Sequence, residues 1–343
     1  MKCVGKGKVY WGKSLDEVLH EEEIEPDVVA PAQAKIPWIH RRTADADIYF
    51  LSNQDENAVD ASIGFRITGK APETWDLHTG QTRPAGIWQV KEGWTHVALS
   101  FEPQGSTLVV FRKAASPSWT RLLRDGETVL DSTSGWFRQR DATSPGCMVE
   151  PASFVAWKPG PYDLTDAVGR TKRVMAASRS QSIDGPWTLA FEEGWDAPAT
   201  VEIPRLISLT EHTDQAVRYY SGTMTYRKRV ELESVAGQVL LDLGQVHDIA
   251  EVWCNSRKLG TRWCPPFTFD LTEAVQPGMN DLEIKVTNTW RNQLIYDLRR
   301  LEKARKTWTT NPPRSAKESP APSGLIGPIV VYTGTVVELQ QDR

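Results

Sequence analysis

The amino-acid sequence predicts an all-β protein made of two antiparallel β-sandwich domains, with a short α/β remnant at the N-terminus. Two observations lead to this prediction. Short runs in which apolar and polar residues alternate are separated by Gly, Pro and Asn, which is typical of strands joined by turns. The chain has 343 residues, which exceeds the size at which one hydrophobic core usually stops growing, so two domains are expected.

The region 238–297 contains the clearest strand pattern. An alternating run, AEVWC, meets Asn255 and Ser256 and resumes in RKLGTRW, which indicates two strands folded back over a short turn. FTFDLT and DLEIKVTN alternate again, with a Pro-Gly turn between them. Strands with one apolar face bury that face between two sheets, so an antiparallel sandwich or jelly roll is expected, with Trp253 in its core.

The same patterns divide the chain into four parts. They are a strand-helix tail at 1–35, a small β-sandwich at 36–115, a connecting segment with scattered strands at 116–179, and a jelly-roll domain at 180–343. In the tail, Ser14 and Glu17 have the spacing of a capping box that opens a helix. In the last part, DLRRLEKARK at 297–306 predicts a short helix that is followed by a long loop.

Composition and charge argue against two classes of partner. Lys and Arg total 40 against 44 Asp and Glu, and the net charge of −4 has no long run of one sign, so nothing attracts a phosphate backbone. We therefore expect no nucleic-acid partner. No apolar run approaches the roughly 18 residues that span a bilayer, so a membrane partner is not expected either.

No motif indicates a cofactor. Gly7–Ser14 matches the phosphate-loop pattern, but Val9, Tyr10 and Trp11 favour an extended strand and no buried strand precedes them, so nucleotide binding is not expected. The four cysteines lack the spacing of metal ligands, and the six histidines lack an H-x-x-x-H pair. The sequence therefore predicts no cofactor and no metal site.

The order of the motifs carries a family resemblance. LDLG, AEVWCN, LGTRW, PPFTFDLT, PGMNDLEIKVTN, TWRNQLIYD and SGLIGPIVV follow one another as in the galactose-binding-like jelly roll of large glycoside hydrolases, which β-galactosidase-type enzymes share. Upstream stand IPWIHRRTADADIYFLSNQ, DGPWTLAFEEGW and YYSGTMTYRKRV. Over nearly its whole length the chain resembles the C-terminal region of glycoside hydrolase family 106, the α-L-rhamnosidases.

The resemblance implies a function without catalysis. In that family the catalytic carboxylates lie in an N-terminal (β/α)₈ barrel, which no segment here resembles, and residues 1–35 resemble the tail of a preceding α/β domain. We expect a carbohydrate-binding and support region whose partners are oligosaccharides or plant-polysaccharide side chains, with a catalytic barrel domain or a second chain as further candidates. Family habit leaves calcium as an alternative, although no D-x-D-x-D-G loop marks a site. Relatives are often exported, but the N-terminus lacks a signal-peptide core, so the location is left open.

The loop NTWRNQLIYD holds the expected carbohydrate-binding residues. In β-galactosidase-type enzymes the equivalent loop faces the barrel and contacts substrate, so the resemblance nominates Asn288, Arg291, Asn292 and Asp297. Amides, carboxylates and guanidinium groups hydrogen-bond vicinal hydroxyls. Trp290 and Trp308 belong to loops, where an indole face can stack on a sugar. The alternative is that the polar residues cap the loop and the helix that follows it.

Two other functions stay open. A hydrolase active in its own right needs two carboxyl groups about 5 to 9 Å apart around the scissile bond, which here would lie between the sandwiches. The sequence nominates no pair, because its acidic clusters are typical of solvated turns: Asp45 with Asp47, and Glu192, Glu193 and Asp196. The second alternative is a structural or protein-interaction module.

Overall fold

The computed structural model describes residues 1–140, 145 and 148–339. The chain divides into two compact units. Unit 1 comprises Met1–Leu122, Leu130–Arg140 and Thr165–Arg170, and unit 2 comprises Leu123–Val129, Asp141–Leu164 and Thr171–Arg343. Strands dominate the described residues, and every strand pair with a described register is antiparallel. The predicted all-β class with antiparallel sheets is confirmed.

The N-terminal part contains eleven strands and one helix. The strands are β1 (Lys2–Val4), β2 (Gly7–Val9), β3 (Val28–Val29), β4 (Trp38–Arg42), β5 (Asp47–Ser52), β6 (Ala58–Phe65), β7 (Lys70–Trp75), β8 (Thr82–Pro84), β9 (Trp88–Lys91), β10 (Trp94–Phe101) and β11 (Ser106–Ala114). Helix α1 spans Leu15–Glu21 and begins at the predicted capping box of Ser14 and Glu17. No side chain of α1 is buried.

Seven strands lie between residues 119 and 176. They are β12 (Trp119–Arg124), β13 (Glu127–Asp131), β14 (Phe137–Arg140), β15 (Met148–Val149), β16 (Ser153–Ala156), β17 (Gly160–Asp166) and β18 (Thr171–Ala176). Four of them form one sheet in the order β13-β12-β17-β18. The sequence indicated only scattered strands here, such as those now seen as β17 and β18, because prolines interrupt the alternation.

The C-terminal part contains twelve strands and two α-helices. The strands are β19 (Arg179–Ser182), β20 (Trp187–Phe191), β21 (Thr200–Ile203), β22 (Thr223–Leu232), β23 (Gln238–Asp242), β24 (Gln245–His247), β25 (Ile249–Cys254), β26 (Arg257–Arg262), β27 (Thr268–Asp270), β28 (Gly278–Thr287), β29 (Gly324–Gly327) and β30 (Val330–Glu338). Helix α2 spans Gln215–Arg218 and α3 spans Arg291–Asp297, and two short 3₁₀ helices lie at Leu209–Glu211 and Glu302–Ala304.

Unit 1 contains a sandwich of two sheets. One sheet has the order β4-β5-β11-β7-β8, and the other has the order β14-β6-β10-β9 with β3 beside β6. Alternate residues of each sheet enter one core. The first sheet contributes Tyr49, Leu51, Val109 and Phe111, and the second contributes Ile63, Phe65, Val97 and Leu99. The alternation seen in the sequence therefore reflects burial between two layers.

Unit 2 contains a second sandwich. A six-stranded sheet has the order β21-β20-β22-β28-β25-β26, and the sheet that faces it has the order β15-β16-β30-β23-β27 with β19 beside β30. Both sheets contribute to one core, to which the first supplies Leu189, Tyr226, Val252 and Ile284 and the second supplies Val239, Leu241, Phe269 and Val331. Each large side chain in such a core stabilises the fold by about 1.5–3 kcal/mol relative to exposure.

The hairpin β25–β26 turns at Asn255 and Ser256, as predicted. Both residues have positive φ, at 48° and 67°, as the primed two-residue turns require. In β25 the residues buried toward the core are Ala250, Val252 and Cys254. Trp253 lies on the opposite face and is half-buried, so the prediction that it belongs to the core is wrong. Alternation places Trp253 beside Glu251, on the solvent side of the sheet.

The helix predicted at 297–306 is also misplaced. Helix α3 ends at Asp297, where that helix was expected to begin, and a single 3₁₀ turn follows at Glu302–Ala304. The Asp297 side chain accepts hydrogen bonds from the backbone N–H groups of Lys306 and Thr307, which turns the chain back on itself instead of extending the helix. Among the described residues, no helix is long and apolar enough to cross a membrane.

Candidate functional site

The residues nominated by the sequence lie on one excursion of unit 2, the 288–323 segment, which connects β28 to β29. It contains α3 and the second 3₁₀ helix, and the rest has no regular structure. A segment of this length without its own sheet needs side-chain hydrogen bonds to hold its backbone. Three buried polar residues supply them.

Asn288 fastens the start of the segment. Its Oδ1 accepts a hydrogen bond from the backbone N–H of Gly222 at 2.9 Å. Its Nδ2 donates to the carbonyl of Tyr220 at 2.8 Å and to the hydroxyl of Ser323 at 2.6 Å. The side chain is buried, so this carboxamide ties both ends of the segment to the turn before β22.

Asn292 fastens the end of the segment. Its Nδ2 donates to the carbonyl of Ala321 at 2.9 Å, and its Oδ1 accepts from the N–H of the same residue at 2.8 Å. The carboxamide thus pairs with the backbone as a neighbouring strand would. The next residue, Gln293, is also buried, and its backbone N–H donates to the hydroxyl of Ser221 at 3.0 Å.

Asp297 fastens the middle of the segment. It is 2% exposed, and its Oδ2 accepts from the N–H of Lys306 at 3.0 Å and from the N–H and hydroxyl of Thr307 at 2.8 and 2.6 Å. Its Oδ1 accepts from Nε2 of Gln293 at 3.0 Å. Four donors satisfy this buried carboxylate, which is what makes its burial tolerable.

An ion-pair cluster joins the segment to the loop between β20 and β21. Asp196 contacts the guanidinium of Arg300 and accepts from Nζ of Lys306 at 3.0 Å, and that Nζ also donates to the carbonyl of Gly194 at 2.7 Å. The hydrogen bond from Lys306, followed by that from Arg300, holds the pKa of Asp196 below its usual range. Asp196 lies in an exposed bend, as the prediction of a solvated turn expected, and its carboxylate is ion-paired there.

Two indoles of the segment are open to solvent. Trp290 is 56% exposed and Trp308 is 81% exposed. Trp290 meets Trp195 edge to face, with ring centroids 6.3 Å apart and an interplanar angle of 83°. Trp195 in turn packs edge to face on the buried Tyr220 at 6.1 Å. A chain of aromatic contacts therefore holds Trp290 in place while one of its sides stays accessible.

Arg291 is the third nominated residue that reaches solvent. Its guanidinium donates to Oε2 of Glu318 at 2.7 Å, and about half of its side chain is exposed. Burial raises the pKa of Glu318, but hydrogen bonds from the backbone of Ser315 and Arg314 outweigh this effect. The nearby positive charge of Arg291 adds to them, so the pKa of Glu318 is lowered. Such an exposed pair contributes little to stability, so the guanidinium can exchange partners at small cost.

The six nominated residues thus form two groups. The framework residues, Asn288, Asn292 and Asp297, are buried and hydrogen-bonded within the chain. The exposed residues are Trp290, Arg291 and Trp308. Sequence reasoning missed Trp195 and Asp196 as parts of this site, because both precede the segment by roughly a hundred positions. The only local signal was the run FEEGWD, which has no spacing in common with a binding motif.

In the other acidic cluster Asp45 lies in an exposed bend, but Asp47 begins β5 and is buried, so the prediction of a solvated turn is wrong for Asp47. This residue is 4% exposed, and its carboxylate accepts from Nε of Arg42 at 2.6 Å and from Nζ of Lys70 at 3.2 Å. Burial raises the pKa of Asp47, but the hydrogen bonds from Arg42 and Lys70 outweigh this effect, so the pKa is lowered. Among the described residues no group of three or more His, Cys, Asp or Glu side chains is placed to hold a metal ion.

Known proteins resemble this chain in sequence and in fold. The glycoside hydrolase 106 family, described as alpha-L-rhamnosidase, matches residues 1–89. The solved structure of a rhamnosidase from Novosphingobium sp. PP1Y matches 96% of this chain at 33% sequence identity and a TM-score of 0.71, and the match covers 27% of that rhamnosidase chain.

Two further relatives are β-glucuronidases by name. A protein of Formosa agariphila, provisionally assigned as a β-glucuronidase, is 34% identical over 145 residues, which are 40% of this chain and 12% of that protein. The β-glucuronidase of Ruminococcus gnavus matches 45% of this chain and 28% of its own at 22% identity, with a TM-score of 0.35. The chain thus spans less than a third of the length of each relative. It is a glycoside-hydrolase-related region, and the resemblance to the α-L-rhamnosidases of family 106 that the sequence predicts is confirmed.

Proposed function

We propose that this chain is a non-catalytic, carbohydrate-contacting and supporting region of an α-L-rhamnosidase-like glycoside hydrolase. The saccharide lies against the exposed residues Trp290, Arg291 and Trp308. One observation carries this proposal: two tryptophans remain 56% and 81% exposed on a segment whose backbone is fastened by buried side chains. Sugar rings present apolar C–H faces that stack on exposed indoles, and the fastened backbone holds these two indoles in place.

The framework residues support binding indirectly. The polar atoms of Asn288, Asn292 and Asp297 already have partners within the chain, so a sugar hydroxyl would have to displace a backbone group. In this proposal they hold the segment in the conformation that binds. A segment fixed in advance loses less conformational entropy when the ligand arrives, which increases affinity without any further contact.

The supporting role concerns the rest of the relatives. The rhamnosidase of Novosphingobium matches this chain over about a quarter of its own length. We propose a galactose-binding-like jelly roll for the second sandwich, with a catalytic barrel domain as the partner that it supports. The two facing sheets of unit 2 support this proposal, because a jelly roll is built from two facing sheets. The loops at the ends of such sheets are the usual places at which a partner binds.

Calorimetric titration tests the carbohydrate contact. We expect the chain to release or absorb heat with rhamnose- or galactose-containing oligosaccharides. Trp290→Ala and Trp308→Ala should each weaken that binding by about fivefold, because stacking on one aromatic ring is worth on the order of 1 kcal/mol. Trp11→Ala is the matched control, since Trp11 is 63% exposed in unit 1 and should leave the affinity unchanged.

Two results would contradict the proposal. Absence of heat from the unaltered chain with every oligosaccharide would favour a structural or protein-interaction module. Equal losses of affinity in the Trp11 control and in the two segment variants would place the contact elsewhere.

A further inference from the structure

The outer face of the six-stranded sheet in unit 2 carries a continuous row of side chains. Each member stands directly opposite the next on a neighbouring strand, so the row crosses all six strands. From β21 to β26 the row consists of Glu202, Thr188, Arg227, Glu283, Trp253 and Lys258. Neighbouring strands lie about 4.8 Å apart, so successive side chains of the row follow one another at that interval. The row contains hydrogen-bond donors, acceptors and one indole.

Part of this row lines a groove. The groove has a volume of about 540 Å³, which falls in the roughly 300–1,000 Å³ range of small-molecule sites. Arg227 and Arg229 of β22 line one side and Trp253 of β25 lines the other. Strand β28 lies between them, so the walls stand about 10 Å apart, two strand spacings. That width admits one flat ring.

Trp253 is fixed on this face by two flanking lysines. Nζ of Lys258 on β26 and Nζ of Lys285 on β28 lie 5.1 and 4.7 Å from its ring centroid. Lys258 also donates to Glu251 at 3.0 Å. Cation–π contacts from both neighbouring strands keep the indole upright and place two ammonium groups beside it. A half-buried tryptophan on the solvent side of a sheet is thereby held in position as a wall.

The opposite wall offers guanidinium groups to an anion. Nε of Arg227 donates to Glu283 at 2.7 Å, which fixes the orientation of that guanidinium. Arg229 is different, because its side chain is 72% exposed, its partner Asp281 is 77% exposed, and their closest atoms are 3.4 Å apart. An exposed pair of this kind is worth little, so a ligand carboxylate can replace Asp281 at small cost.

We propose that this groove binds an acidic sugar unit, a uronic acid within an oligosaccharide. The sugar ring lies against the edge of the Trp253 indole, beside the two lysines, and its carboxylate pairs with the guanidinium of Arg229. Planar bidentate pairing is what arginine provides for carboxylates. The groove is a second site, since it shares no residue with the 288–323 segment and its ligand is charged.

Calorimetric titration with trigalacturonate and with its methyl ester tests the groove. The two ligands have the same rings and differ in charge. We expect the chain to bind the free acid at least about tenfold more tightly than the ester, and added salt to weaken the binding. Arg229→Glu should weaken binding of the acid by about tenfold or more, whereas Arg229→Lys should retain part of it. Arg229 is exposed, so neither substitution should prevent folding.

Arg173→Glu is the matched control. Arg173 is 71% exposed and pairs with Asp163 as Arg229 pairs with Asp281, but it lies on β18 and does not line the groove, so its substitution should leave the affinity for trigalacturonate unchanged. Absence of binding, equal affinity for acid and ester, or an unchanged affinity in Arg229→Glu would overturn the proposal. A loss of acid binding in Trp308→Ala would also overturn it and would assign the acid to the segment. Acid binding that depends on Arg229, without any binding of neutral rhamnose oligosaccharides, would support the groove and contradict the function proposed for the segment.

Discussion

Two carboxyl groups that are shielded from solvent, those of the buried Asp297 and the half-buried Asp242, are satisfied to very different degrees. Asp297 accepts from four donors, whereas Asp242 at the end of β23 accepts one described bond, from the N–H of Gly244 at 2.9 Å. Burial raises the pKa of Asp242, and the hydrogen bond from Gly244 offsets only part of that effect. The negative charge of Asp242 is therefore a cost to the folded state at neutral pH.

Asp242→Asn should stabilise the chain at about pH 7. Between the unfolded pKa of about 3.8 and the raised folded pKa, the native state binds more protons than the unfolded state. The stability contributed by this group is thus fully present below the unfolded pKa and is lost as the pH rises through the folded pKa. The asparagine keeps an oxygen for Gly244 and carries no charge. Urea unfolding should show a gain near pH 7 that disappears below about pH 3.8.

Asp281→Asn is the control for this prediction. Asp281 is 77% exposed and its ion pair with Arg229 is open to water, so its replacement should change the free energy of unfolding little at either pH. A stability difference between Asp242→Asn and the unaltered chain that stays constant with pH would show that titration of Asp242 is not the cause.

The hairpin and the tryptophan beside it mark what the sequence could predict about single elements. Asn255 tolerates positive φ, so the turn of β25–β26 was readable from residue type. The face of Trp253 was readable too, since Glu251 two residues earlier shares it. The prediction for Trp253 rested on the rule that large aromatic residues belong to the core. The alternation contradicts it, because Ala250 and Val252 already form the apolar face of β25.

Long-range contacts explain why the 288–323 segment was predicted less well. Its residues were nominated correctly as polar and aromatic, but the partners that decide their roles are distant in sequence. Lys306 meets Asp196 across 110 positions, and Asn288 meets Gly222 across 66. No periodicity encodes such pairs. Helix propensity favoured a helix at 297–306. Helix α3 instead ends at Asp297, whose side chain binds the backbone N–H groups of Lys306 and Thr307 and turns the chain back.

Gly244 is one of the glycines at which the close approach of two backbone segments depends on the absence of a side chain. It lies between β23 and β24 with φ of +62°, and a Cβ there would stand 2.6 Å from the carbonyl oxygens of Gly327 and Pro328. Those contacts are with backbone, which cannot move aside. Gly244→Ala should therefore lower the free energy of unfolding by about 3 kcal/mol or more, measured by urea unfolding.

Gly278→Ala separates backbone strain from the steric clash. Gly278 begins β28 with φ of +89°, and a Cβ there would meet nothing within 4 Å. This substitution should cost only about 1 kcal/mol, the penalty of a left-handed backbone for an alanine. Similar losses of unfolding free energy in the two variants would mean that the approach of residues 327–328 does not constrain residue 244.

The fold of the whole molecule was predictable where one apolar face meets one core. Tyr49 and Leu51 in unit 1, and Leu241 and Phe269 in unit 2, stand at alternate positions and are all buried between sheets. The strands between 119 and 176 were less readable, because short strands with charged neighbours, such as β14 and β18, have little apolar periodicity. Hydrolytic competence, in contrast, depends on carboxyl pairs that no pattern reveals.

We expect the purified chain not to hydrolyse aryl α-L-rhamnosides. Glycoside hydrolysis needs a carboxyl group held protonated by a raised pKa beside a second carboxylate. At the candidate site the trend is opposite: the pKa values of Asp196 and Glu318 are lowered by cationic and backbone partners, and Asp297 is occupied by four donors. None of them has the properties of a general acid.

Release of the aryl group, followed by absorbance, checks this expectation. Burial clearly raises the pKa of Asp242, as a general acid requires, so Asp242→Asn is the informative variant if any turnover is seen. Turnover that disappears in Asp242→Asn while the variant stays folded would make the chain a hydrolase in its own right, since a neutral amide cannot donate the proton that the leaving group requires. Turnover that persists in the variant points to a trace contaminant or to a different carboxyl group, and Asp196→Asn and Glu318→Gln then separate these two cases.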